Sequence, residues 1–342
     1  MKSPLYQITK AQKKLLEKQK YRVVGNHSAV KICGWTRNKL AGKGECYKEK
    51  FYGIKCHQCM QMTSSLYCAN ACKFCWRSSK LPISKEWKGE IDNPDFIIEN
   101  SIKQHIKLLQ GFKGNKKADK KLLKEMADVK HVALSLTGEA ITYPKLNELL
   151  NMFHKKKIST FLVTNGQFPD EIKKIKNITQ LYISLDAPTR EKLKELDRPI
   201  FDDYWERLMK SLKNMSRKKF RTAIRLTLIK NENMSDIGKY AKLIKLSNAD
   251  FIEVKSYMWV GDSQKFYITQ DMPRMNEIKK FSEELLSFLP DYEYADEHNP
   301  SRVVLLIKKS LKKAKYINFN KFFELSSKEE TARAEEYSIR NL

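Results

Sequence analysis

Cysteine is absent from most of this chain. The sequence has 342 residues and seven cysteines, and none of the seven lies after Cys75. All of them fall between Cys33 and Cys75, which excludes a disulfide framework that spans the chain. In a reducing compartment, cysteines clustered in this way are more often metal ligands than disulfide partners. The sequence therefore predicts metal chemistry close to its beginning.

Long apolar runs are missing as well. No stretch approaches the ~20 consecutive apolar residues that a membrane-spanning helix needs. The first residues, Met1 to Pro4, do not open an apolar segment of the kind that directs secretion. We therefore expect a soluble, cytoplasmic protein that does not use a membrane.

Acidic residues are scarce relative to basic ones. The chain carries 66 Lys and Arg against 40 Asp and Glu, which gives a formal net charge of +26. A field of this size attracts polyanions and steers them at long range, so nucleic acid is the leading candidate partner. The alternative is a lysine-rich solvated surface of the kind that thermophile proteins carry. The excess is large for this length, and that favours the polyanion.

The strongest motif in the sequence is a loop of three closely spaced cysteines. Cys68, Cys72 and Cys75 follow one another as CxxxCxxC, with Phe74 directly before the last. Three thiolates can hold three irons of a 4Fe–4S cube and leave the fourth iron open to a small molecule. A structural zinc site is the alternative, but zinc usually pairs its cysteines as two CxxC motifs or adds histidines. The loop resembles that of the radical S-adenosylmethionine (SAM) superfamily, in which SAM chelates the fourth iron.

Apolar runs alternate with helical periods after this loop, which is typical of βα units. Six runs predict strands, at 62–67, 131–136, 159–164, 180–185, 221–229 and 251–258. Strands separated by helices pair in parallel, so the predicted fold is α/β, a partial (β/α)6 radical SAM barrel. A closed eight-stranded barrel is the alternative, but two further units are not apparent. The predicted division is an N-terminal cluster-binding segment at 1–60, the barrel core at 61–270 and a C-terminal extension at 271–342, with a helix at 275–289 and a strand at 302–307.

Polar motifs follow three of the predicted strands, at the strand ends where ligands bind in parallel α/β folds. Thr137, Gly138 and Glu139 resemble the GGEP motif that holds the amino group of SAM in radical SAM enzymes, although the first and last positions of the motif differ here. The other residues predicted to contact SAM are Phe74, Thr164, Asn165, Ser184 and Asp186. The alternative for the strand-end residues is an ordinary turn.

The four remaining cysteines form a second group. Cys33, Cys46 and Cys59 are evenly spaced, with twelve residues between neighbours, and Cys56 forms a CxxC pair with Cys59. A metal knot built from all four cysteines, for instance around zinc, is one interpretation. Spacings of a dozen residues also suit an iron–sulfur cluster around which the N-terminal segment wraps.

Further motifs narrow the resemblance. The chain is similar to the 4-demethylwyosine synthase family in the stretches Cys56-His-Gln-Cys59-Met-Gln-Met, Cys75-Trp76-Arg77, Leu196-Asp197-Arg198-Pro199 and Asp203-Tyr204-Trp205-Glu206-Arg207. The similarity extends over nearly the whole chain, from Cys33 to Val304. It implies that Cys33, Cys46 and Cys59 hold a second 4Fe–4S cluster, with Cys56 left out.

The resemblance implies a reaction on tRNA. The family acts on tRNA-Phe that bears N1-methylguanosine beside the anticodon. Cleavage of SAM gives a 5′-deoxyadenosyl radical, which takes hydrogen from the N1-methyl group, and the carbon radical then adds to pyruvate. Carbon–carbon cleavage releases the carboxylate carbon, and ring closure builds the tricyclic base. The second cluster would bind or orient pyruvate, and Lys48, two residues after Cys46, matches a lysine proposed to activate pyruvate as a Schiff base.

The remaining expectations concern partners. The residues predicted to contact RNA, by stacking or at a phosphate, are Trp76, Arg77, Arg198, Trp205 and Tyr257. No flavodoxin-like segment is present, so we expect a separate electron donor of the flavodoxin or ferredoxin type, and we expect a monomer. The predicted enzyme class is a carbon–carbon lyase or ligase. Two alternatives stay open: a radical SAM enzyme that acts on a protein or peptide, and a zinc-stabilised RNA-binding protein without enzymatic activity.

Overall fold

A ten-stranded sheet forms the frame of the molecule. The computed structural model describes residues 8–114, 118–328 and 331–342. The strands are β1 (Arg22–Val24), β2 (Ser28–Lys31), β3 (Cys59–Thr63), β4 (His131–Leu134), β5 (Ser159–Thr164), β6 (Gln180–Ser184), β7 (Thr222–Leu228), β8 (Phe251–Ser256), β9 (Tyr292–His298), β10 (Val303–Lys308), β11 (Tyr316–Ile317) and β12 (Ser338–Ile339). The helices are α1 (Lys10–Lys18), α2 (Gly34–Leu40), α3 (Tyr47–Tyr52), α4 (Pro94–Leu109), α5 (Lys120–Glu125), α6 (Leu146–Lys155), α7 (Pro169–Lys174), α8 (Arg190–Asp197), α9 (Tyr204–Met215), α10 (Ile237–Ser247), α11 (Met275–Ser287), α12 (Phe319–Ser327) and α13 (Ala334–Tyr337). The first ten strands form one sheet, while β11 and β12 pair with each other.

The six central strands are parallel. Strands β3 to β8 pair in chain order, and at least one helix connects each strand to the next. The sheet is extended by antiparallel strands at both sides, with β2 next to β3 and β10 next to β8. This arrangement confirms the predicted partial (β/α)6 barrel, because helical crossovers between neighbouring strands require parallel pairing.

Side chains alternate along the central strands and form two cores. One set, which includes Leu162 and Ile183, packs against the surrounding helices. The opposite set, which includes Phe161 and Tyr182, lies in the barrel interior. The interior core also contains three aromatic residues of α3, namely Tyr47, Phe51 and Tyr52. The N-terminal segment therefore fills the inside of the barrel, and this brings its cysteines close to the strands that carry the rest of the site.

The first predicted strand was placed too far along the chain. It was expected at 62–67, whereas β3 is Cys59–Thr63. The hydroxyl of Thr63 donates to the carbonyl oxygen of Ser65 at 2.7 Å and accepts from the Ser65 N–H at 3.2 Å, so the chain turns there. Cys59 thus opens a barrel strand, and the residues after Thr63 form the approach to the cysteine loop.

The two ends of the chain add to the same sheet. The helix and strand expected near 275–289 and 302–307 are present as α11 and β10. Strands β1, β2 and β9 were not predicted, and the boundary expected at residue 60 falls inside β3. Residues 1–7 of the predicted N-terminal segment and 329–330 of the predicted extension lie outside the described residues. Among the helices that the structure describes, none is long and apolar enough to cross a membrane.

Candidate functional site

A cavity of about 390 Å³ opens at the carboxyl ends of the parallel strands. Most of the predicted site residues line it, namely Cys68, Cys72, Phe74, Cys75, Trp76, Arg77, Thr137, Gly138, Glu139, Thr164, Asn165, Ser184 and Tyr257. Seven other predicted residues do not belong to its lining, namely Asp186, Arg198, Trp205, Lys48, Cys33, Cys46 and Cys59. The fold thus brings the cysteine loop and the strand-end motifs together around one space.

The backbone of the cysteine loop is fixed by the end of helix α8. The N–H groups of Ala71 and Lys73 donate to the carbonyl oxygens of Asp197 and Leu196, at 3.1 and 2.9 Å. The side-chain amide of Asn70 donates to the Asp197 carboxylate at 3.2 Å. Leu196 and Asp197 therefore hold the cysteine loop in place by hydrogen bonds. Sequence reasoning had assigned no structural role to the Leu-Asp-Arg-Pro stretch to which they belong.

The three thiols of the loop are withdrawn from water. Burial, followed by the nearby Glu139 carboxylate, raises the pKa of the Cys68 thiol to about 12. Burial is also the main cause that raises the pKa of Cys72 and of Cys75. Such a thiol keeps its proton unless a metal cation takes the proton's place, so the donor set fits an iron cluster. In the described ranges, no three His, Cys, Asp or Glu side chains converge closely enough for a single metal ion.

Glu139 has a carboxylate oxygen without a protein partner. Its Oε2 accepts from the Asn165 N–H at 3.0 Å, whereas its Oε1 is buried and accepts no hydrogen bond from the described residues. Burial raises the pKa of this carboxyl to about 7. An ammonium group beside the unpaired oxygen would satisfy it and stabilise the charged form. The amino group of SAM, which the motif resemblance assigns to this position, fits that requirement.

Gly138 occupies a position where a side chain does not fit. Its φ is +68°, and a Cβ would lie 2.1 Å from the carbonyl oxygen of Ser65. We predict that Gly138→Ala lowers the free energy of unfolding by about 1–3 kcal/mol, because the strand end must move away from that carbonyl. Gly111→Ala is the matched control, since no atom lies within 4 Å of a Cβ there. Urea unfolding of the two variants measures the difference, and equal midpoints would contradict the prediction.

Two of the predicted SAM contacts also take part in the turn after β5. The hydroxyl of Thr164 accepts from the Gly166 N–H at 3.3 Å, and Oδ1 of Asn165 accepts from the Gln167 N–H at 3.0 Å. The amide nitrogen of Asn165 donates to the Cys68 sulfur at 3.5 Å. The turn-capping alternative therefore describes part of their role, while both residues still face the cavity.

Among the predicted RNA contacts, three residues line the cavity, and each has a structural partner. Trp76 stacks on Tyr21 with ring centroids 6.1 Å apart. Arg77 donates to the Pro82 carbonyl oxygen at 2.6 Å, and the Tyr257 hydroxyl donates to Ser263 at 2.7 Å. These three side chains therefore contact other residues of the protein and form part of the cavity wall.

Three of the predicted residues outside the cavity lining, Asp186, Arg198 and Trp205, have surroundings unrelated to the N-terminal cysteines. The Arg198 guanidinium lies 4.8 Å from the centre of the Phe266 ring, and Trp205 packs half-buried against the outer core. Asp186 is buried, its Oδ1 accepts from the Thr227 N–H at 3.3 Å, and burial raises its pKa to about 6. Several apolar side chains are exposed around the cavity mouth and on the loop after β8, namely Met258, Val260, Ile268 and Phe266, the last being the ring that Arg198 contacts.

The N-terminal cysteines meet in the barrel interior. Cys33 precedes α2, Cys46 precedes α3, and Cys59 opens β3. Burial raises the pKa of the Cys46 thiol, and Cys33 and Cys59 raise it further. Burial, followed by Cys33, raises the pKa of Cys59 to about 12. The three thiols are thus close enough to influence one another, as ligands of one cluster must be.

Cys56 has a different environment. Its N–H donates to Oε2 of Glu49 at 3.0 Å, and Glu49 also forms an ion pair with Lys39 at 2.9 Å. Burial, and after it the Glu49 side chain, raises the pKa of the Cys56 thiol. Cys56, which the predicted triad of Cys33, Cys46 and Cys59 leaves out, is thus the cysteine that contacts Glu49 directly.

Lys48 is buried beside this triad, with 8% of its surface exposed. Its Nζ lies 4.6 Å from the centre of the Tyr182 ring. Burial, followed by the nearby Arg225, lowers its pKa, while Glu253, Cys46 and Cys59 act in the opposite direction. A lysine in this setting is neutral more often than an exposed one, and the neutral amine is the nucleophilic form.

Sequence reasoning missed three charged residues of the barrel interior, namely Arg225, Glu253 and Lys255. The signal was present in the sequence, because β7 reads Thr-Ala-Ile-Arg-Leu-Thr-Leu and β8 reads Phe-Ile-Glu-Val-Lys-Ser. A charge at an alternate position of an otherwise apolar strand has to face a polar interior or a ligand.

Comparison with known proteins agrees with this geometry. Residues 62–244 match the family described as the radical SAM superfamily, and residues 246–308 match the family described as wyosine base formation. The SAM-dependent tRNA 4-demethylwyosine synthase TYW1 of Mus musculus is 44% identical over 340 residues, which are 98% of this chain and 47% of that protein. The corresponding synthase of Oryza sativa is 46% identical over 329 residues, 94% of this chain and 50% of that protein. The chain spans about half the length of these curated relatives.

Two solved structures match almost completely. A structure of TYW1 with a lysine–pyruvate adduct bound has a TM-score of 0.80 and 38% identity, and the match covers 92% of this chain and 99% of that one. A crystal structure of archaeal TYW1 has a TM-score of 0.72 and 37% identity, covering 89% of this chain and 97% of that one. Together with the cavity and its cysteine loop, these matches show that the chain belongs to the radical SAM superfamily and, within it, to the TYW1 family of tRNA 4-demethylwyosine synthases.

Proposed function

We propose that this chain condenses N1-methylguanosine, beside the anticodon of tRNA-Phe, with pyruvate to form the tricyclic base 4-demethylwyosine. One observation carries the proposal. Two cysteine triads and a buried lysine share one barrel, and Arg225, which contacts the same Tyr182 ring as Lys48, also lines the cavity of the first triad. A radical source and a site for a keto acid therefore lie within reach of one bound nucleotide.

The first triad and the strand-end motifs bind SAM in this proposal. Cys68, Cys72 and Cys75 hold a 4Fe–4S cluster, and the unpaired oxygen of Glu139 accepts from the amino group of SAM. When bound, the cluster supplies the electron that cleaves SAM into methionine and the 5′-deoxyadenosyl radical. The closely packed Gly138 turn would hold the strand end, and with it Glu139, near the cysteine loop.

The second triad and Lys48 bind pyruvate. Cys33, Cys46 and Cys59 hold the auxiliary 4Fe–4S cluster beside the keto acid. The neutral Lys48 amine attacks the keto carbon, a carbon–nitrogen bond forms, and the carbonyl oxygen leaves as water to give the imine. Support comes from the burial of Lys48 and from the lysine–pyruvate adduct of the TYW1 structure that this chain matches.

The positive charge of the chain and the side chains at the cavity mouth bind the tRNA in this proposal. A net charge of +26 attracts the phosphate backbone, and the exposed apolar side chains near Arg198 provide surface for an extruded base. Trp76, Arg77 and Tyr257 shape the pocket that receives the base, while Arg198 and Trp205 lie where the surrounding RNA would pass. None of these features supports the alternative function, in which a radical SAM enzyme acts on a protein or peptide.

The remaining parts of the proposal concern class and partners. Because a carbon–carbon bond forms and another breaks, the enzyme is a carbon–carbon lyase that also joins two substrates. A one-electron donor of the flavodoxin or ferredoxin type reduces the cluster that binds SAM. The chain acts as a monomer in the cytoplasm, where both its tRNA and its keto acid are present.

Anaerobic turnover tests the proposal. With reductant, SAM, pyruvate and methylated tRNA-Phe, we expect the tricyclic nucleoside by mass spectrometry and about eight irons per chain. About four irons would refute the second cluster and leave radical chemistry intact. Formation of 5′-deoxyadenosine without the nucleoside would refute the substrates, and a colourless zinc protein would refute the enzyme.

A further inference from the structure

The barrel interior holds two basic residues for which neither cysteine triad accounts. Arg225 and Lys255 lie on the neighbouring strands β7 and β8, and both line the cavity. In the register of the sheet, Arg225 is paired with Glu253, and Lys255 follows two residues later on the same face. The two cationic side chains therefore form adjacent layers of one interior wall.

Glu253, the carboxylate paired with Arg225 in this wall, already accepts three hydrogen bonds. Glu253 accepts from Nε of Arg225 at 2.9 Å, from the Tyr47 hydroxyl at 3.0 Å and from the Tyr52 hydroxyl at 2.8 Å. It thereby pairs with the charged Arg225 and, with the Tyr47 hydroxyl that accepts from Nη2 at 2.9 Å, holds the guanidinium in place. Nη1 of Arg225 has no hydrogen-bond partner among the described residues.

Lys255 forms no ion pair with any of the described residues. Its Nζ donates to the Ser256 carbonyl oxygen at 3.1 Å, and no carboxylate of the described residues lies within ion-pair distance. Burial, followed by Arg225, lowers its pKa to about 8. A cation in such a position is stabilised when an anionic ligand enters.

The position of Lys48 relates this wall to the keto acid. Nζ of Lys48 lies 4.6 Å from the centre of the Tyr182 ring, and the Arg225 guanidinium carbon lies 4.7 Å from the same centre. The two groups are therefore separated by no more than the sum of these distances. In an α-keto acid the carboxylate is bonded directly to the keto carbon, so a carbon attached to Lys48 presents its carboxylate within this region.

We propose that Lys255 and Arg225 form the carboxylate site for the keto acid that is attached to Lys48. The site rests on the proposed function, and it defines the co-substrate as an α-keto acid rather than a neutral ketone. Two cationic groups with free donors bind a carboxylate by charge-assisted hydrogen bonds. They also fix the direction of the bond between the carboxylate and the keto carbon, which is the bond that breaks.

Reductive trapping tests the site without cluster turnover. Borohydride delivers hydride to the imine and converts it to a stable secondary amine, which mass spectrometry locates at Lys48. For the unaltered chain we expect half-maximal trapping at a concentration of pyruvate about 10- to 100-fold lower than that of methyl pyruvate, its neutral ester. Equal concentrations for the two compounds would overturn the site. This comparison needs no variant and does not depend on the folding of one.

Variants of Lys255 test whether this residue binds the carboxylate of the keto acid. Lys255→Met is expected to raise the half-maximal pyruvate concentration by about 10- to 100-fold and to leave that of methyl pyruvate unchanged. Lys255→Arg should restore most of the preference, and Lys242→Met, an exposed lysine of α10, is the control. An unchanged pyruvate dependence in Lys255→Met would overturn the assignment.

SAM also carries a carboxylate, and one measurement distinguishes whether Lys255 and Arg225 bind the carboxylate of SAM or that of pyruvate. Lys255→Met is expected to bind SAM with unchanged affinity in equilibrium dialysis. Weaker SAM binding with unaltered pyruvate trapping would assign the cationic pair to SAM and overturn the inference. If the unaltered chain forms no adduct with either compound at Lys48, the proposed function fails together with the site, whereas an adduct with no preference removes only the site.

Discussion

Replacing Cys72 with alanine is expected to abolish both 5′-deoxyadenosine formation and the tricyclic product. Cys72 lies between Cys68 and Cys75 in the cavity lining, in a loop whose backbone is held by Asp197 and Leu196. Two remaining thiols do not retain the cube in the position where SAM must chelate it. Because every later step needs the radical, we expect the rate to fall by ~10⁴-fold or more, as for other groups that act as one unit.

The matched control for this variant is Cys56→Ala. Cys56 is buried and lies close to the second triad, but its surroundings are set by Glu49. We expect Cys56→Ala to retain about eight irons per chain, whereas Cys72→Ala retains about four. High-performance liquid chromatography of 5′-deoxyadenosine after reduction, together with iron analysis, gives both results. If Cys72→Ala formed 5′-deoxyadenosine within tenfold of the unaltered chain, the assignment of the radical cluster would be wrong.

The sequence predicted the parts of this molecule that depend on local pattern. The spacing of the CxxxCxxC loop predicts its three candidate ligands, and the alternation of apolar runs with helical periods identified the barrel. The first strand was misplaced because Met62, Leu66 and Tyr67 are apolar, although Thr63, Ser64 and Ser65 between them are polar. The bonds between Thr63 and Ser65 turn the chain there instead. Such a turn depends on side-chain hydrogen bonds that periodicity does not report.

The barrel interior could not be predicted in the same way. Lys48 and Arg225 are far apart in the sequence and contact the same Tyr182 ring only because α3 enters the barrel. Likewise, Glu253 pairs with Arg225 through the register of two strands. Contacts of this kind depend on tertiary placement, so a sequence alone indicates that these charges need partners but not which partners they have.

Replacing Lys48 with methionine is expected to separate the two halves of the reaction. Methionine is unbranched and of similar length, so it can occupy the buried space beside Tyr182 without a charge. The cysteine loop and the Glu139 carboxylate are unaltered, and 5′-deoxyadenosine should still form when SAM is reduced. Trapping of pyruvate by borohydride should be lost, and the tricyclic nucleoside should fall by ~10⁴-fold or more, as expected when a covalent nucleophile is removed.

Lys50→Met is the matched control, because Lys50 lies on the same helix and faces outward. Its side chain is 44% exposed, and its Nζ forms an ion pair with Asp296 at 3.0 Å. A surface pair of this kind contributes little, so Lys50→Met should keep both trapping and product.

Lys48→Arg distinguishes covalent attachment from charge, since arginine retains the positive charge but cannot form the imine. If Lys48→Arg made product at the normal rate, charge rather than covalent attachment would hold pyruvate. Loss of product in both Lys48 variants, with 5′-deoxyadenosine still formed, assigns the covalent step to this lysine, because the radical is then present and only its partner is missing.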